Sequence, residues 1–138
     1  MKTAFRTVAA ILAGLLLAFA LVVAVEMFSA VVHPFPEDFG GTTEEVCQHV
    51  ERYPPWVLAV VVPMWAGTAF AGVWTAQKVG NLPAAAIVAL LLLAALVSNL
   101  AMLPYPLWFK IACLLAIPAA MMIGIGRFRH MPAASQVK

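Results

Sequence analysis

Few side chains in this 138-residue chain can do chemistry, and several of them lie within or beside long apolar runs. Glu26 is the one acid inside such a run, and Ser29 and His33 follow it at i+3 and i+7. On a helix that spacing puts the three on nearly the same face. Asn99, with Ser98 beside it, falls near the end of another apolar run, and Lys110 lies just inside the next. An unpaired charge at the centre of a bilayer costs about 2.5–3.5 kcal/mol, so an ionisable group there needs a partner or a function. Two readings of this cluster follow. In the first, Glu26 and Asn99 hydrogen-bond to each other and fix the packing of helices. In the second, Glu26 is an ion or proton site. The first is the simpler and is favoured. Lys110 points away from the small residues of its own segment, so it is expected to snorkel to the surface.

The other reactive side chains form no recognised motif. Cys47 and Cys113 are expected at different depths, which argues against a disulfide between them. There is no CxxC, HExxH, GxSxG, P-loop or Gly-rich dinucleotide signature. His33, Cys47 and His49 can be imagined around a metal, but Cys47 and His49 are two residues apart and diverge on a helix. No metal, cofactor or catalytic residue is therefore assigned, and no enzyme is expected. His130 follows Arg127 and Arg129 in a basic tail suited to anionic headgroups.

The elements that must position these residues are set by composition. Hydrophobic residues make up 64% of the chain and charged residues 10%, where a soluble domain carries about 25% charged. This excludes a disordered chain, a disulfide scaffold and an ordinary soluble globule, and a net charge of +2 gives no reason to expect a nucleic-acid partner. A bilayer needs about 20 apolar residues per helix. Four segments qualify, at residues 7–32, 55–76, 83–103 and 106–126. The first is too long for the apolar core of a signal peptide. The expected fold is all-α: a single polytopic membrane domain over 1–138, built as a four-helix bundle. A short surface helix over about 43–52 is expected within the first outer loop, 33–54. Thr42 and Glu45 fit a capping box at its start, and Val46, Val50 and Tyr53 share its apolar face.

Lys2, Arg6, Lys78, Arg127, Arg129 and Lys138 fall on one side if all four segments span, and five of the six acids fall on the other. The side rich in Lys and Arg is the cytoplasmic one, so both termini are expected there. Tyr53, Trp56, Tyr105 and Trp108 mark the outer boundary, and Trp74 the inner one. Small residues allow helices to approach closely in lipid. Gly14 in the first segment, Gly67 and Ala71 in the second, and Ala116, Ala120 and Gly124 in the fourth are the expected packing positions. Pro63 and Pro118 interrupt the helical hydrogen bonding of their segments.

The stretch Asn99-Leu-Ala-Met-Leu-Pro104-Tyr105-Pro106-Leu-Trp108-Phe109 carries a resemblance. So do Glu26 ahead of Pro34-x-Pro36, and Gly67 and Gly72. Over residues 24–124 the chain resembles a group of small, uncharacterised four-helix inner-membrane proteins of bacteria. That resemblance implies four helices and a bacterial inner-membrane location, and no activity. Members of that group often have His at the position of Tyr105. Small multidrug transporters also share the length, four helices and a first-helix glutamate, but their glutamate lies deeper and their charge bias is weaker.

The reading that follows is a structural, accessory or partner-binding membrane protein. Its partners would be the bilayer and another membrane protein or a second copy of itself. The alternative is a small oligomeric channel or transporter that uses Glu26.

Overall fold

A computed structural model describes residues 2–126. The basic tail, with Arg127, Arg129, His130 and Lys138, lies outside the described residues. Five helices follow in order: α1 Lys2–Val32, α2 Thr43–Glu51, α3 Pro55–Val79, α4 Leu82–Met102 and α5 Leu107–Gly126. There is no strand among the described residues. All but α2 are long and apolar enough to cross a membrane.

The helix boundaries have local causes. Pro55 opens α3, where its missing N–H leaves no hydrogen bond unmade. Asn81 caps α4 by accepting the Ala84 N–H at 3.0 Å. Between α4 and α5 stands Leu103-Pro104-Tyr105-Pro106, and a residue preceding proline is driven out of the helical region. Gly41 takes a positive φ of 80° and leads the chain into α2. There Thr42 and Glu45 complete the expected capping box: the Thr42 N–H donates to the Glu45 carboxylate at 2.9 Å, and the Glu45 N–H to the Thr42 hydroxyl at 3.3 Å.

α3 is the helix on which the bundle is assembled, since it packs against α1, α4 and α5. α1 also meets α4, whereas α4 and α5 touch little and α1 and α5 do not meet. The short link between α4 and α5 therefore makes them antiparallel without making them close neighbours.

Within the helices, α1 and α3 approach backbone to backbone. A Cβ on Gly14 would lie 2.6 Å from the Gly72 carbonyl oxygen, and one on Gly72 would lie 3.0 Å from both the Gly14 carbonyl oxygen and the Ala18 Cβ. Gly80 packs against Ala10 in the same seam. At the end where α3 turns into α4, Arg6 Nε donates to the Val79 carbonyl at 2.9 Å and Asn81 Nδ2 to the Thr7 hydroxyl at 2.8 Å. Lys78 lies over the Trp74 ring, 4.6 Å from its centre.

Of the expected packing residues, Gly14 and Gly124 are buried, and Gly124 faces the α3 backbone at Phe70 and Trp74. Gly67 is exposed, with open space where a Cβ would stand. Ala71, Ala116 and Ala120 are only half-buried. α3 packs instead through Thr68, Gly72 and Ala76, and α5 through Phe109, Cys113, Ile117, Met121 and Gly124. The cause is rotational. A four-residue step overshoots a 3.6-residue turn by about 40°. α3 has two small-residue rows one position apart, and spacing alone does not choose between them.

Replacing Gly14 with Val should lower stability by about 1–3 kcal/mol, the range for overpacking. Gly67→Ala should be neutral or stabilising by up to about 1 kcal/mol, since a helix gains a better residue in open space. Unfolding of the purified protein in mixed micelles by increasing dodecyl sulfate measures both.

Candidate functional site

Because α4 and α5 stand apart, the bundle is open on one side toward the α2 end. A cavity of about 190 Å³ lies there. α3 supplies Trp65, Thr68 and Ala69, α1 supplies Glu26, α4 supplies Asn99, and α5 supplies Ile117 and Met121. Its walls are mostly apolar, so its few polar atoms stand out. Thr68 turns its hydroxyl back onto the Met64 carbonyl at 2.9 Å and is already satisfied. Asn99 Oδ1 is buried without a hydrogen-bond partner. Trp65 closes one end, edge-on to Tyr105 at 6.3 Å and to Phe109 at 5.7 Å between ring centres.

The expected polar cluster is brought together in part. Glu26 and Asn99 line the same cavity, but no hydrogen bond joins them, and Glu26 is exposed rather than buried between helices. The reason lies in the turn count of α1. Its inward residues are Ala10, Gly14, Ala18, Val25 and Ser29, so the step after Ala18 is seven residues, not eight. Val25 and Ser29 take the inner face, and Val22 and Glu26 fall on its flank, where the cavity opens. Ser98 is exposed, Lys110 is half-buried, and neither lines the cavity. No ion pair links Lys110 to Glu26 among the described residues, so the amide and carboxylate share a site that the ammonium does not enter.

One turn above Glu26, Ser29 is buried beside the Tyr53 phenol. Burial raises the Tyr53 pKa, and the nearby Glu26 charge pushes it the same way. Burial also raises the pKa of Tyr105, and the charge of Glu26 adds to this. Both phenols therefore stay protonated and able to donate. Tyr105, expected only as a boundary anchor, reaches the carboxylate's neighbourhood.

His33 belongs to a second cavity of about 350 Å³ between α2 and the loop before it. Its polar lining includes Asp38, Gln48, His49 and Arg52. His49, considered from the sequence only as an imagined metal ligand, is 6% exposed. Its ring stacks between Phe35 at 4.1 Å and His33 at 4.3 Å, with Tyr53 edge-on at 5.3 Å. His49 Nε2 is buried without a hydrogen-bond partner. Stacked rings turn faces, not lone pairs, toward each other. No group of three His, Cys, Asp or Glu side chains suited to a metal occurs among the described residues. Trp65 and Thr68 are thus site residues that spacing did not single out, and His49 was named without its burial being foreseen. A polar residue on the apolar flank of an amphipathic helix, between aromatic neighbours, was the available signal for His49.

No protein-family model matches the chain, and no curated sequence or solved structure does.

Burial holds the His49 pKa below its ordinary value of 6.5, and the charges of His33 and Arg52 act in the same direction. The unfolded segment then binds more protons than the folded one below that value. His49 accordingly contributes stability that is complete above 6.5 and is lost as pH falls from there toward its lowered pKa. Hydrogen exchange at the Tyr53 amide, which donates to the Val50 carbonyl, should accelerate between about pH 8 and about pH 5 after correction for intrinsic rates. His49→Phe should flatten that dependence.

Proposed function

We propose that this chain is a multi-pass protein of the bacterial inner membrane, with both termini in the cytoplasm and α2 on the outer face. The one-sided distribution of Lys and Arg supports that orientation. The outward apolar residues of the long helices, such as Phe5, Leu16, Phe19, Leu90, Leu115 and Met122, support a lipid-facing surface. Its role is to bind another membrane protein, or a second copy of itself, through the side cavity. The observation that carries this is Glu26: an exposed carboxyl group on a transmembrane-length helix, beside an amide oxygen with no partner. A carboxyl at that depth, roughly 9 Å below the end of α1 at 1.5 Å per residue, needs a donor. A partner helix bearing a hydroxyl, amide or ammonium would supply it.

The same residue supports a second reading, a small oligomeric transporter in which Glu26 takes up and releases a proton or cation. Two measurements separate the readings. With both native cysteines replaced, Ala95→Cys on the cavity wall should cross-link to a neighbouring chain in native membranes, and adding Glu26→Gln should reduce the adduct. If Glu26→Gln leaves the adduct unchanged and instead abolishes proton flux in proteoliposomes, the transporter reading replaces the first.

A further inference from the structure

Glu26 lines one cavity and His33 the other, with Ser29 between them in the chain and Tyr53 beside Ser29. Glu26, Ser29 and His33 follow one another about a turn apart, Ser29 on the inner face and Glu26 on the adjoining flank, and the His33 N–H keeps helical register by donating to the Ser29 carbonyl at 2.8 Å. Side chains on a helix lean toward its N-terminus, so His33 leans over Ser29, and Ser29 over Glu26. Tyr53 runs alongside. Its ring packs on His33 at 4.7 Å between centres, and its hydroxyl lies beside that of Ser29. Above them, His33 lines the polar cavity of α2.

We propose that these residues form a proton path from the α2-side solution to Glu26, with His33 as its port. His33 Nε2 directs its proton toward the His49 carbonyl, 3.4 Å away, which leaves Nδ1 as the basic atom. A proton from water binds Nδ1. The imidazolium passes it to the Ser29 or Tyr53 hydroxyl, which releases its own proton to the Glu26 carboxylate. The net change is one proton moved from water to Glu26, with His33 and the hydroxyl restored; release runs in reverse. Chains of acid, hydroxyl and His side chains serve such relays in membrane proteins. The groups facing His33 are His49 and Arg52 of α2, Asp38 and Glu45 across the cavity, and Tyr53 below. Those facing Glu26 are Tyr53 and Tyr105.

The path rests on Glu26 being the working carboxyl, and the test keeps the two apart. The full chain in lipid nanodiscs is subjected to a pH jump while infrared spectroscopy follows the carboxyl band that Glu26→Gln removes. His33→Phe keeps a ring for stacking but carries no proton. It should slow protonation of Glu26 by roughly 10²-fold, the low end of what a positioned proton carrier contributes, and leave the equilibrium midpoint in place. Tyr53→Phe combined with Ser29→Ala should do the same. Added imidazole should restore the rate of His33→Ala, which a purely structural role would not permit. Unchanged rates in His33→Phe and in the double variant would overturn the path while leaving Glu26 as the carboxyl site. A Glu26 band that never titrates would overturn both.

Discussion

The contact of α1 with α3 at Gly14 and Gly72 governs the rest of the molecule. With no side chain at either position, the two backbones meet, and the rotation and height of α1 are set to within the thickness of a methyl group. Small residues at such crossings are what helices in lipid rely on, because burying apolar area against apolar lipid offers little. Everything α1 presents further along follows from that rotation: Val25 and Ser29 face inward, and Glu26 faces the flank. α5 is held to α3 by its own close approach at Gly124, on the other side. The gap between α4 and α5 is the geometric remainder of packing three helices on one.

The two ends of the bundle use polar groups differently. Where α3 turns into α4, Arg6, Thr7 and Asn81 tie α1 to the turn and Asn81 also caps α4, although the buried Gln77 Oε1 in the last turn of α3 has no partner. At the α2 end the buried polar atoms of Asn99 and His49 have none. A buried group without a hydrogen bond costs about 1–3 kcal/mol. Two of the three such atoms among the described residues, those of Asn99 and His49, stand beside the cavities, and the third, Gln77 Oε1, lies near the end of α3. The α3–α4 end is tied to α1 by hydrogen bonds between helices, and the α2 end holds its polar groups beside open space.

Much of the architecture was legible because its signals are local. Proline positions and the Thr42/Glu45 box mark helix ends within a few residues of where they fall. The α2 helix, expected over about 43–52, spans Thr43–Glu51. What failed was rotation. A row at i+4 drifts around a helix, so over the sixteen residues from Ala10 to Glu26 it passes from the buried face to the open flank. The same ambiguity set Gly67 outside and Gly72 inside. Neither error is recoverable from one helix alone, because the register is chosen by the partner backbone. The burial of His49 was not legible because it depends on two rings, Phe35 and His33, supplied by an irregular loop.

Asn81 has a consequence for how the chain is built. Its oxygen holds the start of α4 while its amide holds Thr7, near the beginning of the chain. α1 is synthesised before α3 and α4, yet the groove it occupies, formed by Gly72, Ala76 and Val88, exists only once the α3–α4 hairpin is in place. α1 must therefore wait for both, and assembly closes backwards. The turn that joins α3 to α4 recruits the start of α1, and one asparagine registers that both have arrived.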